Sequence, residues 1–180
     1  MDAPSHEKDE TILTLLYHRR VSEGMSITLA VGDDAPDFSL KDRTGAKVSL
    51  ASLRGKRVVV YFYPQDDTPG CTTQACSFRD AALEYKKRDI VVLGISPDDE
   101  ASHAAFATKH NLGFTLLSDP THDAATRYGV WGKKTAYGKT YIGITRATFL
   151  IDEDGRIMRI FPKASPEGHA ADVLAAFGDR

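Results

Sequence analysis

Two cysteines are all that this 180-residue chain contains, and they stand together in "TPGCTTQAC", Thr68 to Cys76. So low a count excludes a small secreted scaffold held by disulfides. Long hydrophobic runs are missing too: the early apolar stretch "ILTLLY", Ile12 to Tyr17, is far short of the ~20 residues that span a bilayer. Nor does charge of one sign prevail. Lysines and arginines number 23 against 25 acids, a net charge of −2, which gives no electrostatic footprint for nucleic acid or an anionic membrane surface. The N-terminus, "MDAPSHEKDE", is acidic and polar where a secretory signal begins basic and then turns apolar. The expected location is therefore the cytoplasm, where ordinary thiols stay reduced and a cysteine pair is more often catalytic or metal-binding than structural.

There are no internal repeats or low-complexity segments, and the length suits one domain burying about 70% of the surface of its unfolded chain. Residues 6–20 pattern as a short amphipathic helix with Ile12, Leu15 and Leu16 on one side. Residues 1–25 are thus expected to form an extension, packed on the domain or on a neighbour, and residues 26–180 the domain itself. "KRVVVYFYP", Lys56 to Pro64, and "IVVLGIS", Ile90 to Ser96, are continuous β-branched and aromatic runs, the mark of strands buried on both faces. A helix from Pro69 to Arg88 lies between them, giving a parallel crossover unit. "SPDDE" predicts a further helix capped by Ser96 and ending near His110. A strand at Phe114 to Leu117 and a short helix over Asp123 to Tyr128 follow, then a loop, "YGVWGKKTAYGKTY", Tyr128 to Tyr141. "TRATFLID" and "RIMRIF" flank "EDG" as a hairpin, and Pro166 opens a last helix. The sum is an α/β domain of thioredoxin-like order, with a central mixed β-sheet flanked by helices.

Cys71 falls just past the carboxyl end of the most apolar strand, the edge where α/β sheets bind ligands. With Thr68 as N-cap and Pro69 at the first helical position, it occupies the first turn, where unpaired N–H groups and the helix dipole favour a thiolate. Cys71, Ala75, Phe78, Ala82 and Tyr85 form one core-facing stripe, whereas Cys76 falls off it with Arg79, Leu83 and Lys87. Five helical residues separate Cα atoms by about 8–9 Å, and a disulfide requires about 4.4–6.8 Å. If the two thiols act together, the helix must first unwind. An inert buried thiol and a zinc clip are the competing readings. The second is weakened by the four-residue spacing and by the want of a completing pair, since His103 and His110 are expected to be solvated on a polar helix. Arg146, in a run otherwise built for burial, either reaches solvent from an edge or is aimed at an anion.

"YFYPQDDTPGCTTQACSFRD", Tyr61 to Asp80, resembles the active-site segment of peroxiredoxins, closest to the Q type, also called bacterioferritin-comigratory-protein-like. Pro64, Thr68 and Cys71 meet the family's proline–threonine–cysteine pattern, and Cys76 meets the Q-type second cysteine. "GDDAPDFSL", "GKTYIGITRATFLID" and "DEDGRI" are also similar to the family. The resemblance implies a thiol peroxidase for hydrogen peroxide and alkyl hydroperoxides. Cys71 would be the peroxidatic cysteine and Cys76 the resolving one, joined during the cycle in an intrachain disulfide recycled by thioredoxin or a similar dithiol. Thr68 would hydrogen-bond the thiolate or peroxide, Pro64 would shield the sulfur, and Arg146 would stabilise the charge. No metal, flavin or haem is implied, and the chain is expected to act as a monomer. A peroxide sensor using the same pair is the alternative.

Overall fold

The computed structural model describes residues 26–178; the helix expected within 6–20 and the extension of residues 1–25 lie outside them. Its centre is β3 (Arg57–Phe62), in which Val58 to Phe62 are all buried. β3 pairs in parallel with β4 (Ile90–Ser96) and antiparallel with β8 (Ala147–Ile151). The hairpin β1 (Ser39–Asp42) and β2 (Lys47–Ser49), with β5 (Thr115–Ser118) and β9 (Ile157–Phe161), completes a seven-stranded mixed sheet, ordered β2-β1-β5-β4-β3-β8-β9.

The alternation of side chains along β3 sets the two layers. Val58, Val60 and Phe62 enter one apolar layer with Leu93, Ile95, Tyr128 and Phe149. Val59, Tyr61 and Tyr63 enter the other with Cys71, Phe78, Tyr85, Phe106 and Val173. Burial of each large apolar side chain contributes about 1.5–3 kcal/mol, so both faces of the sheet are committed to core. The second layer is covered by α1 (Pro69–Asp80), α2 (Ala82–Lys87), α3 (Glu100–His110) and α5 (His169–Phe177), and the first by α4 (Asp123–Arg127). Gly94 on β4 is required by Tyr61: a Cβ there would lie 2.8 Å from the tyrosine Cζ and 2.9 Å from Leu116 Cδ2.

The thioredoxin-like layering matches the order expected from the sequence, with several local differences. The helix expected from Pro69 to Arg88 breaks at Ala81, whose φ of −90° and ψ of 3° leave helical geometry. The break shifts the phase, so that Ala81 packs against the core and Ala82 is exposed, while Tyr85 stays buried. α3 is capped by Asp99, whose carboxylate accepts the Ser102 N–H at 2.8 Å. Ser96 is not a cap because its pairing with Ser118 keeps it in β4. Pro166 does not open α5: Gly168, at φ +66°, interrupts the chain and the helix begins at His169. The segment read as a loop holds a second, two-stranded sheet, β6 (Trp131–Ala136) and β7 (Lys139–Ile144), turned through Tyr137 and Gly138, both at positive φ.

α5 docks through a histidine that resists protonation. His169 is buried between Phe78 and Phe161, and its Nε2 shares a 2.8 Å hydrogen bond with Thr148 Oγ1. Burial pushes the imidazole down to about 4; Asp172 opposes the shift and the Arg146 charge adds to it. The unfolded chain therefore binds a proton near pH 6.5 that the fold refuses. Stability should be flat above that pH and fall as pH drops from about 6.5 towards 4, by on the order of 2 kcal/mol from this residue. Urea midpoints across that range should show the wild type losing its advantage over His169→Gln; a gap that stays constant would remove the histidine as the cause.

Candidate active site

The carboxyl end of β3 delivers the chain into a loop, Pro64 to Thr68, and then into α1. Thr68 is extended, at φ −93° and ψ 155°, and Pro69 takes the first helical position. The Thr68 carbonyl accepts the Thr72 N–H at 2.8 Å and so starts the helix. Its hydroxyl makes no capping bond and instead donates to Gln65 O at 2.9 Å, leaving first-turn N–H groups uncapped by that side chain. Cys71 lies in this turn, 2% exposed, among Val59, Tyr61 and Ala75. The Tyr61 ring is stacked on Phe78 at 4.9 Å, and its hydroxyl is held well above the ordinary tyrosine range by burial first and then by Cys71.

Arg146 reaches this sulfur from the two-residue link between β7 and β8, not from within a strand as the sequence suggested. Nη2 donates to Cys71 Sγ at 3.2 Å and Nη1 to Gln74 Oε1 at 2.6 Å. Gly70 makes room: a Cβ there would lie 3.3 Å from Arg146 Nη2 and 3.5 Å from Pro166 Cγ. Gln74 is fully buried one turn beyond Cys71, and among the described residues its Nε2 has no partner. A half-buried guanidinium anchored at one end by an amide has its other end fixed on the sulfur.

The loop itself is tied to α3. The Asp66 carboxylate accepts from Tyr63 OH at 2.6 Å and Ser102 Oγ at 2.8 Å, and it pairs with His103 Nδ1 at 2.7 Å. The Asp66 N–H donates to Asp98 Oδ2 at 2.8 Å. Asp67, at φ +54°, pairs with Lys109 and His110, whose hydrogen bonds hold its carboxyl below the usual carboxylate range. His103 is thus fully buried, contrary to the solvated position expected of it; the Asp66 carboxylate makes that burial tolerable.

Of the residues singled out from sequence, Cys71 and Arg146 are in direct contact. Pro64 is exposed at the exit of β3, and Thr68 caps the helix through its backbone. Cys76 is half-buried farther along α1, and both thiols are free. Gln74, Asp66 and His103 were not found. Gln74 stood one helical turn after Cys71, a spacing that puts it on the same side. Among the described residues no three His, Cys, Asp or Glu side chains gather as a metal site, and no helix is long and apolar enough to cross a membrane.

Known proteins are similar to this chain in sequence and in fold. The AhpC/TSA family model matches residues 31–160. Peroxiredoxin Bcp of Escherichia coli is 50% identical over 146 residues, covering 81% of this chain and 94% of that protein. Peroxiredoxin Bcp of Bacillus subtilis is 44% identical over 153 residues, covering 85% and 98%. A solved structure of the bacterioferritin comigratory protein of Xanthomonas campestris, studied for alkyl peroxide reduction in trapped intermediate and ligand complexes, superposes with a TM-score of 0.76. It is 34% identical, with 84% of this chain and 96% of that chain covered. With the paired cysteines on one helix, this places the chain in the AhpC/TSA family, among the peroxiredoxins of the Bcp or Q type.

Proposed function

We propose that the chain is a thiol peroxidase in which Cys71 attacks the peroxide and Cys76 resolves the product. The observation that carries this reading is the Arg146 guanidinium held between Cys71 Sγ and Gln74 Oε1 at the start of a helix. A thiolate is the reactive form of cysteine, and a fixed cation with helix N-terminal amides favours it. The sulfur takes the terminal oxygen of the hydroperoxide: an S–O bond forms, the O–O bond breaks, and the sulfur is oxidised by two electrons to a sulfenic acid. The departing oxygen leaves as alkoxide or hydroxide and takes a proton from water. Arg146 and the first-turn amides face the charge that moves onto it, a preorganised arrangement that needs no rearrangement during the step.

Thr68 acts as acceptor for the peroxide O–H, since its own hydroxyl proton is engaged by Gln65 O. Pro64, exposed at the exit of β3, takes the part that the family resemblance gives it, limiting the access of water to the sulfur. Cys76 then displaces hydroxide from the sulfenic acid to give the intrachain disulfide, which thioredoxin or a similar dithiol reduces by exchange. All of these groups come from one chain, which supports a monomeric enzyme. Dependence on a reduced dithiol supports the cytoplasm as its place of work.

The test is steady-state consumption of hydrogen peroxide or an alkyl hydroperoxide with thioredoxin, its reductase and NADPH. The wild type should turn over and Cys71→Ser should show no turnover above background. A wild type no faster than Cys71→Ser would end the reading.

A further inference from the structure

Asp66 and His103 form a buried pair between the loop that precedes α1 and one face of α3, and neither takes part in the peroxide chemistry described above. Asp66 is 8% exposed and His103 is fully buried. The imidazole Nδ1 stands 2.7 Å from Asp66 Oδ2, which also accepts from Ser102 Oγ, while Oδ1 accepts from Tyr63 OH. The Asp66 N–H is taken by Asp98 Oδ2, which accepts in turn from Ser96 Oγ at the end of β4. One loop residue is thus fixed, through side chain and backbone, from the ends of β3 and β4 and from α3. The far imidazole nitrogen, Nε2, is buried and has no partner among the described residues. A buried polar atom left unmet costs stability, so stability alone explains the pair poorly. Its place in the chain explains it better. Gln65, on one side of Asp66, accepts the Thr68 hydroxyl at 2.9 Å, and Asp67, on the other, leads into Thr68 from a φ of +54°. Tyr63 carries the same network inwards, its ring stacked at 5.4 Å on Tyr61, which shares an apolar layer with Cys71.

We infer that Asp66 and His103 are positioning residues for the peroxide step: they pin the loop to α3 so that Thr68 and the first turn of α1 keep their places around Cys71. The inference rests on the peroxidase reading above and adds to it two residues that act through Thr68 rather than on the sulfur. A displacement of about 1 Å at a reacting group can cost up to ~10²-fold in rate, and a site holds its geometry through the hydrogen bonds that lock its supports. The pin matters to one step only. Attack on the peroxide needs the loop in place, whereas disulfide formation needs α1 to melt downstream of it, which a looser loop does not resist. The same loop carries its own control. Lys109 also ties it to α3, through Asp67 at 2.6 Å, but both of these side chains are exposed, and exposed pairs contribute little. His110 keeps a second hold on Asp67.

The experiment is rapid-quench oxidation of the reduced protein by hydrogen peroxide, with alkylation and mass spectrometry to separate thiol, sulfenic acid and disulfide. The phase that scales with peroxide concentration is the attack by Cys71; the phase that does not is disulfide formation. His103→Leu should slow the first about tenfold or more and leave the second as fast as in the wild type. His103→Asn, whose amide nitrogen can stand where Nδ1 does, should recover most of the loss, and Lys109→Ala should stay within about twofold of the wild type. Urea titration shows which variants are folded. Should His103→Leu not fold, His103→Gln, whose amide falls nearer the place of Nε2, is read in its stead with the same expectation. A folded variant of either kind that attacks peroxide as fast as the wild type would overturn the proposal. So would equal slowing of both phases, an asparagine variant no faster than the leucine one, or Lys109→Ala as slow as His103→Leu. In each of these the wild type still consumes peroxide, and the peroxidase reading stands. A wild type that does not react with peroxide would overturn both.

Discussion

Replacing Arg146 by alanine should lower the rate constant for peroxide with Cys71 by about 10²–10³, the loss typical of removing one preorganised donor to a developing oxyanion. Two effects add. The guanidinium is already hydrogen-bonded to the sulfur before reaction and fixes its position, and it faces the leaving oxygen as the O–O bond opens. Its geometry is fixed from three directions: Gln74 Oε1 accepts Nη1, Cys71 Sγ accepts Nη2, and the absence of a side chain on Gly70 leaves space for the group. A lysine at 146 would restore a charge without the planar fork that serves both acceptors, so Arg146→Lys should recover only a minor part of the rate. The loss must appear in folded protein. Removing Arg146 leaves Gln74 Oε1 buried without its partner, a cost of about 1–3 kcal/mol, which an urea titration measures separately. Stopped-flow fluorescence gives the rate; a folded Arg146→Ala that reacts within threefold of the wild type would deny the guanidinium any role in the chemistry.

The β3–α1–β4 crossover was legible because its signals are local. Continuous β-branched strands, a Thr-Pro helix start and a cysteine in the first turn each stand within a few residues of one another, and the fold preserves them. Contacts between distant segments left no such trace. Arg146 was visible as an anomaly, but its amide anchor at Gln74 lies 72 positions away. His103 was read as solvated because imidazole was counted as polar. His103, Phe106, Ala107 and His110 nevertheless share a helical face, and the carboxylate that makes the burial tolerable, Asp66, lies 37 positions upstream. The β6–β7 hairpin was missed for a different reason. Its turn is Tyr137-Gly138, with both residues at positive φ, where the usual signal is Asn-Gly or Asp-Gly. The break at Ala81 carries neither glycine nor proline, and only tertiary packing shows where the stripe changes phase.

Cys76→Ser should reduce one equivalent of peroxide at close to the wild-type rate and then stop. Its Cys71 sulfenic acid would lack an intramolecular partner, and thioredoxin-driven turnover should fall to background unless a small thiol is added. The underlying argument is geometric. Both cysteines lie within α1, Pro69–Asp80, and five helical residues keep their Cα atoms about 8–9 Å apart, beyond the about 6.8 Å limit of a disulfide. Forming the bond in the wild type must therefore dissolve the early turns of α1. The Thr72 N–H to Thr68 O bond, the Thr73 Oγ1 to Pro69 O bond and the Arg146–Gln74 contact all stand in the way. Unwinding has a clear upstream limit, because Asp66 and Asp67 anchor the preceding loop to α3. Amide exchange in the oxidised wild type should lose protection between about Thr68 and Ser77, while β3 and β4 keep theirs. In Cys76→Ser the same amides should stay protected after oxidation, since nothing pulls the helix open. Full protection of α1 in the disulfide form, or sustained thioredoxin-dependent turnover by Cys76→Ser, would remove the partnership of these two sulfurs from the mechanism.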